Sequence, residues 1–148
     1  MSREAIAARA KYLCDSIASA NGVALVLRNY AIPEAGVPAA MLPAIIILDG
    51  NEENTGVAYG NKRPASAPQI ILLHMEILVS VIAPYEAIGS QLNSISLAII
   101  NALRDDGTFV ALTFEGEGAR YMGTEMGLAQ ADDTVGYHKL NFDIRYKL

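Results

Sequence analysis

An α+β fold is predicted, with a mainly antiparallel sheet, two helices packed on one face and a long extended β-hairpin arm. Two stretches repeat apolar residues at the three- and four-residue spacing of a helix, and several others alternate them at the two-residue spacing of a strand. The helical and extended stretches are segregated along the chain instead of alternating in βαβ order, which places both helices against one side of a sheet of neighbouring antiparallel strands.

The first helix is expected over residues 3–20, where Ile6, Ala10, Leu13, Cys14, Ile17 and Ala18 form the apolar stripe. Ser2 is placed to cap it, and Asn21-Gly22 offers a left-handed stop. A short strand follows over 23–27, then an irregular connection over 29–42 that contains two prolines and a glycine. Residues 43–48 are expected to be a strand buried on both faces and closed by Asp49-Gly50. Residues 50–68 show no apolar period, and a stretch of that kind inside a small domain is usually a working loop, here expected to be the arm.

A long strand is expected over 69–81, where Ile71, Leu73, Met75, Ile77, Val79 and Val81 make one wholly apolar face. Pro84, at a first-turn position, opens the second helix. Its stripe of Ile88, Leu92, Ile95, Ile99 and Leu103 runs to Asp105-Asp106-Gly107, and Leu97 and Ile100 widen it, so this helix is expected to lie flat on the sheet. About three antiparallel strands should close the chain: 108–115, a return strand over 119–126 after the turn Gly116-Glu117-Gly118, and an amphipathic strand over 140–148.

The chain has 148 residues, the size of one domain spanning 1–148, and its 52% apolar and 18% charged content is that of a core-forming sequence. The net charge of −5 argues against affinity built on neutralising nucleic-acid phosphates or anionic lipid. No apolar stretch at the start resembles a signal peptide, and the longest apolar run, residues 70–84, is interrupted by His74 and Glu76. A soluble chain made in the cytoplasm, without a membrane partner, is expected. Cys14 is the single cysteine, which excludes an internal disulfide and a multi-thiolate zinc site.

Charge is segmented along the chain. Residues 1–28 carry Arg3, Arg9, Lys11 and Arg28 against Glu4 and Asp15, whereas residues 105–133 carry seven acids against Arg120 alone. Either the acids form a solvated face, or the segments are complementary patches through which copies meet head to tail. Candidate interface residues are therefore Arg3, Arg9 and Lys11 in the basic segment and Glu115, Glu117, Asp132 and Asp133 in the acidic one. Asn51, Glu52, Glu53, Tyr59, Lys62 and Arg63 are added from the arm.

No set of residues announces a reaction. Neither glycine-rich stretch, 50–56 nor 115–119, has the lysine and Ser/Thr of a P-loop or leads from a strand into a helix. No serine lies in a Gly-x-Ser-x-Gly context, and the tyrosines are not interleaved with a basic patch for stacking on bases. His74 and Glu76 share one strand face, so an acid/base or metal pair is geometrically open there, though no third ligand is evident. No catalytic, cofactor-binding or metal-ligating residue is assigned, and no cofactor is expected.

The order of these elements resembles that of the tail terminator, or tail completion, proteins of long-tailed bacteriophages. The resemblance spans nearly the whole chain. It is carried by the helix containing residues 6–13, the strand 45–50 leading into a polar arm, the long strand 70–81, the helix 88–103 and the closing Phe142-Asp143-Ile144-Arg145-Tyr146 strand. It implies a non-enzymatic virion protein forming a ring, usually of six subunits, at the head-proximal end of the tail tube. There it would stop tube growth and offer a surface to the head-completion or connector protein. Its partners would be itself, the tail tube protein and, in a contractile tail, the sheath protein, with DNA passing an acidic lumen without specific binding. Two other readings stand beside it: another head-tail connector or neck protein, and a small α+β enzyme or ligand-binding domain using the His74 and Glu76 face.

Overall fold

The computed structural model describes residues 2–34, 36–57, 69–129 and 134–148. Helix α1 (Arg3–Ala20) begins where the Ser2 hydroxyl accepts the Ala5 amide at 3.2 Å, satisfying one of the donors that a first turn leaves open. It ends on Gly22 at φ 68°, with the Val23 amide donating to the Ala18 carbonyl at 2.9 Å, a Schellman closure that glycine makes without steric cost. Its buried stripe, Ile6, Ala7, Ala10, Cys14 and Ala18, is mostly small, which lets the helix axis lie close to its neighbours.

Among the described residues, six strands form one sheet: β1 (Leu25–Arg28), β2 (Ala44–Leu48), β3 (Glu52–Val57), β4 (Gln69–Ala83), β5 (Ala119–Ala129) and β6 (Thr134–Lys147). Their order is β1-β2-β4-β6-β5, with β3 also paired to β4. Among these six, β1 and β2 pair in parallel and the other pairs are antiparallel. Strands β2 and β3 succeed one another along the same side of β4, Leu48 lying opposite Glu76 and Glu52 opposite Leu73. Gly50 makes that passage possible. Its φ is 73°, and a Cβ there would fall 1.6 Å from the His74 carbonyl oxygen.

Helix α2 (Tyr85–Asp105) lies on the sheet with Ile88, Leu92, Ile95, Ile99 and Leu103 buried, sharing one core with Met75, Ile77 and Val79 of β4 and Leu140, Phe142 and Ile144 of β6. Gly136 lets it sit close, because a Cβ on that residue would come within 2.9 Å of the Ile88 Cδ1 and Leu128 Cδ2 atoms. The α1 stripe enters the same core, so both helices cover one face, as the α+β pattern predicts. The hydrophobic area that the core removes from water drives this arrangement, at about 25 cal/mol per Å².

Five expectations are corrected. Residues 108–115 are not a strand: they form helix α3 (Gly107–Ala111) and the 3₁₀ turn Phe114–Gly116. The Asp106 carboxylate accepts the Phe109 amide at 2.8 Å and caps a new helix, whose Phe109 is fully buried. Among the described residues two strands, not about three, therefore follow α2. The closing strand starts at Thr134, because β4 provides a pairing partner as far as Ala83. Finally, β1 begins at Leu25, and Pro84 is the residue before the first turn of α2 and not a member of it. The described part of the arm is β3, antiparallel to β4 from Glu52 opposite Leu73 to Val57 opposite Gln69. The remainder, 58–68, lies outside the described residues.

The second face of the sheet is divided. Ile46 and Leu78 lie opposite each other and are buried, next to a cleft walled by Ile32, Pro33 and Val37 of the connection between β1 and β2. Further along, the same face carries His74, Glu76, Lys139, Asp143 and Arg145 in partial contact with water.

Candidate interaction site

The root of the arm is fixed by a charged cluster that joins four elements. Arg28, the last residue of β1, donates to Asp49 through Nε at 3.0 Å and Nη2 at 2.6 Å, and to Glu4 of α1 at 2.8 and 2.9 Å. Asp49 is buried, and the Arg28 hydrogen bonds hold its carboxyl below the usual carboxylate range. Arg3 donates to the Gly50 carbonyl at 2.8 Å and lies 3.7 Å from Glu52, whose carboxylate also accepts the Tyr146 hydroxyl at 2.8 Å. Burial, followed by the Glu52 contact, pushes the Tyr146 phenol up to about 12. Arg3 and Glu52, expected at an interface, are thus drawn into the chain's own contacts.

His74 and Glu76 share a face as predicted but do not pair. The His74 Nδ1 lies 2.6 Å from Asp143 Oδ1 and its Nε2 3.4 Å from Glu53 Oε1, while Glu76 lies 3.5 Å from Lys139. The Asp143 contact raises the His74 pKa. No group of three His, Cys, Asp or Glu among the described residues is arranged to hold a metal ion. Cys14 is 1% exposed, with its thiol pushed up to about 12 by burial, which suits a packing role.

Other candidate residues are also placed. Arg9 makes a two-point contact with Asp106 at 3.0 Å and stacks 4.4 Å from the Tyr12 ring centroid. Lys11 bonds Asp15 one turn on at 2.9 Å. Glu117 receives Arg145 in a two-point contact at 2.7 Å, and the same guanidinium lies over Phe114. Asn51 is exposed, and its carbonyl accepts the His74 amide. Glu115 is exposed at φ 52°. Tyr59, Lys62, Arg63, Asp132 and Asp133 lie outside the described residues. The structure therefore does not gather the described candidates into one patch: each basic residue at the N-terminal end has an acid beside it.

A different surface stands out by its exposure. Among the described residues β5 is one edge strand of the sheet, and Tyr121, Met122, Met126 and Leu128 on it are exposed, as is Leu97 on α2. Between β5 and α2 run two clefts of about 740 and 310 Å³ that share Asn93, Met126 and His138. Residues 86, 89, 93, 97 and 100 of α2 line this groove at helical spacing. At its floor His138, only 7% exposed, meets the Ser96 hydroxyl through Nδ1 at 2.9 Å, and burial lowers its pKa. Sequence periodicity missed the groove, because Met126 and Leu128 alternate like core residues and only the strand order leaves them uncovered.

No family model matches the chain, and no curated protein matches it. The fold defines a one-sided α+β class, with a helical layer on one face and, among the described residues, β5 as an edge strand beside it. A solved structure described as the virion of native gene transfer agent (GTA) particle contains a chain of this fold. The likeness covers 99% of this chain and 94% of that one, at a TM-score of 0.50 and 14% sequence identity. Among the described residues, no helix is long and apolar enough to cross a membrane.

Proposed function

We propose that this chain is a structural protein of a tailed, phage-type particle, and within that class a tail terminator. In this reading copies assemble into a ring, expected to be a hexamer, on the head-proximal end of the tail tube, where they stop tube growth and present the head-docking surface. One observation supports the reading most: the likeness to a gene transfer agent virion chain runs end to end over both chains, so it involves the whole architecture and not a shared fragment. The resemblance of element order to tail terminator proteins supports the finer assignment. A free apolar edge supports self-assembly, since sheet edges of this kind template the addition of another chain. The role is non-enzymatic. The tube protein, a head-completion or connector protein and, in a contractile tail, the sheath protein are the expected partners, with DNA passing the lumen.

Electron microscopy of the purified protein mixed with isolated tails tests this. Rings capping one tail end are expected. Binding to the portal side of the head instead would make the chain a neck or connector protein, and no association with either would overturn the virion reading.

A further inference from the structure

The groove between α2 and β5 has the form of a receptor for an extended chain. It pairs a strand edge that no described residue covers with a cleft walled by a helix, so that main-chain hydrogen bonds and inserted side chains can act together. Its charge is specific: Glu86 is the one charged group lining the two clefts among the described residues, since Glu125 of β5 lies on the opposite face of the sheet, 3.4 Å from Lys139. A matching segment should therefore be apolar and basic, without acids. Residues 58–68 meet that description, with Tyr59 followed by Lys62 and Arg63 and no Asp or Glu.

We propose that the arm segment 58–68 of one copy docks in the α2–β5 groove of a second copy, Tyr59 entering the apolar cleft and Lys62 and Arg63 facing Glu86. The reach of the chain makes this contact intermolecular. Strand β3 runs from Glu52 opposite Leu73 to Val57 opposite Gln69, away from the groove. Through the pairs Met126–His138 and Val79–His138, the Met126 part of the groove lies ten residues along β4 from Gln69 and two strands across. That is about 33 Å along the sheet and about 10 Å across it. Eleven residues tethered at both ends extend no more than about 19 Å. Arm and groove are thus two different patches on one subunit, the condition for head-to-tail assembly. The inference deepens the ring reading and rests on it only for the meeting of two copies.

Site-directed cross-linking in the full chain tests the contact. Tyr59→Cys and Met126→Cys proteins are mixed under mild oxidation, in free solution and on isolated tails, and disulfide-linked peptides are quantified by mass spectrometry. Cys14 is buried, so the introduced thiols are the reactive ones. The 59–126 link is expected to exceed by about tenfold the link to Tyr12→Cys, an exposed position on α1, because docking raises the effective concentration. Adding Glu86→Lys to the groove chain should cut the yield about fivefold, and Lys62→Glu with Arg63→Glu in the arm chain should restore it. Equal yields at positions 126 and 12 in both settings, or a yield indifferent to Glu86→Lys, overturn the proposal. Capped tails without the 59–126 link would refute this contact while the ring reading stands. The link without capped tails would do the reverse.

Discussion

Arg28 closes a two-point ion pair on Asp49, at 3.0 and 2.6 Å, where the sheet passes from β2 to β3. The Asp49 side chain is 6% exposed and that of Arg28 23%, so the pair is largely removed from water. Truncating the cation strands a buried carboxylate, which costs far more than the pair contributes. Arg28→Ala should lower unfolding free energy by about 3 kcal/mol in chemical denaturation. Because Arg28 depresses the Asp49 pKa, the stability it contributes is present above the ordinary carboxylate range and is lost as pH falls through the depressed value. Wild type and Arg28→Ala should therefore converge in stability on acidification.

The two histidines should give the melting temperature a shoulder near pH 6.5, by opposite mechanisms. His74 is raised by Asp143, so its contribution is complete below 6.5 and is lost as pH rises through the folded value. His138 is lowered by burial, so its penalty appears as pH falls from 6.5 through the folded value. His74→Gln should flatten the alkaline side of the profile and His138→Gln the acid side, read by thermal unfolding between pH 5 and 8, on the order of the range over which histidine titrates.

Gly50 has no substitute. Alanine there would have to hold a positive φ and place its Cβ against the His74 carbonyl oxygen, which belongs to the backbone and cannot step aside. Gly50→Ala should destabilise by more than about 3 kcal/mol, while Gly89→Ala, a helical position with open space around it, should be neutral or slightly stabilising.

The exposed edge predicts a separation of stability from association. Leu97→Glu and Met126→Glu replace side chains that are 58% and 70% exposed, so each should change unfolding free energy by less than about 0.5 kcal/mol. Both should reduce self-association, measured by sedimentation or mass photometry. A loss of stability instead would mean that these residues belong to the core.

The elements most fully legible were those whose pattern and caps agree. Helix α1 ran from 3 to 20 as expected, because Ser2, the apolar stripe and Gly22 all specify the same bounds. Residues 107–116 misled for a local reason: Thr108, Phe109 and Val110 favour extended structure, and the Asp106 cap with Phe109 burial outweighed that preference. The site was less legible than the fold. Charge segmentation named Arg3, Arg9 and Glu117, and each has found a partner distant in sequence, at Gly50, Asp106 and Arg145.

By itself the sequence determined the α+β class, the placement of both helices on one face and the alternation of β4, since periodicity and capping act over a few residues. Strand order was settled by tertiary structure alone. Pairing β6 between β4 and β5 exposes Met126 and Leu128, while placing β3 along the upper part of β4 turns a patternless stretch into a strand. Whether an apolar residue is core or contact surface depends on what covers it, and that cover comes from elements far away in the chain.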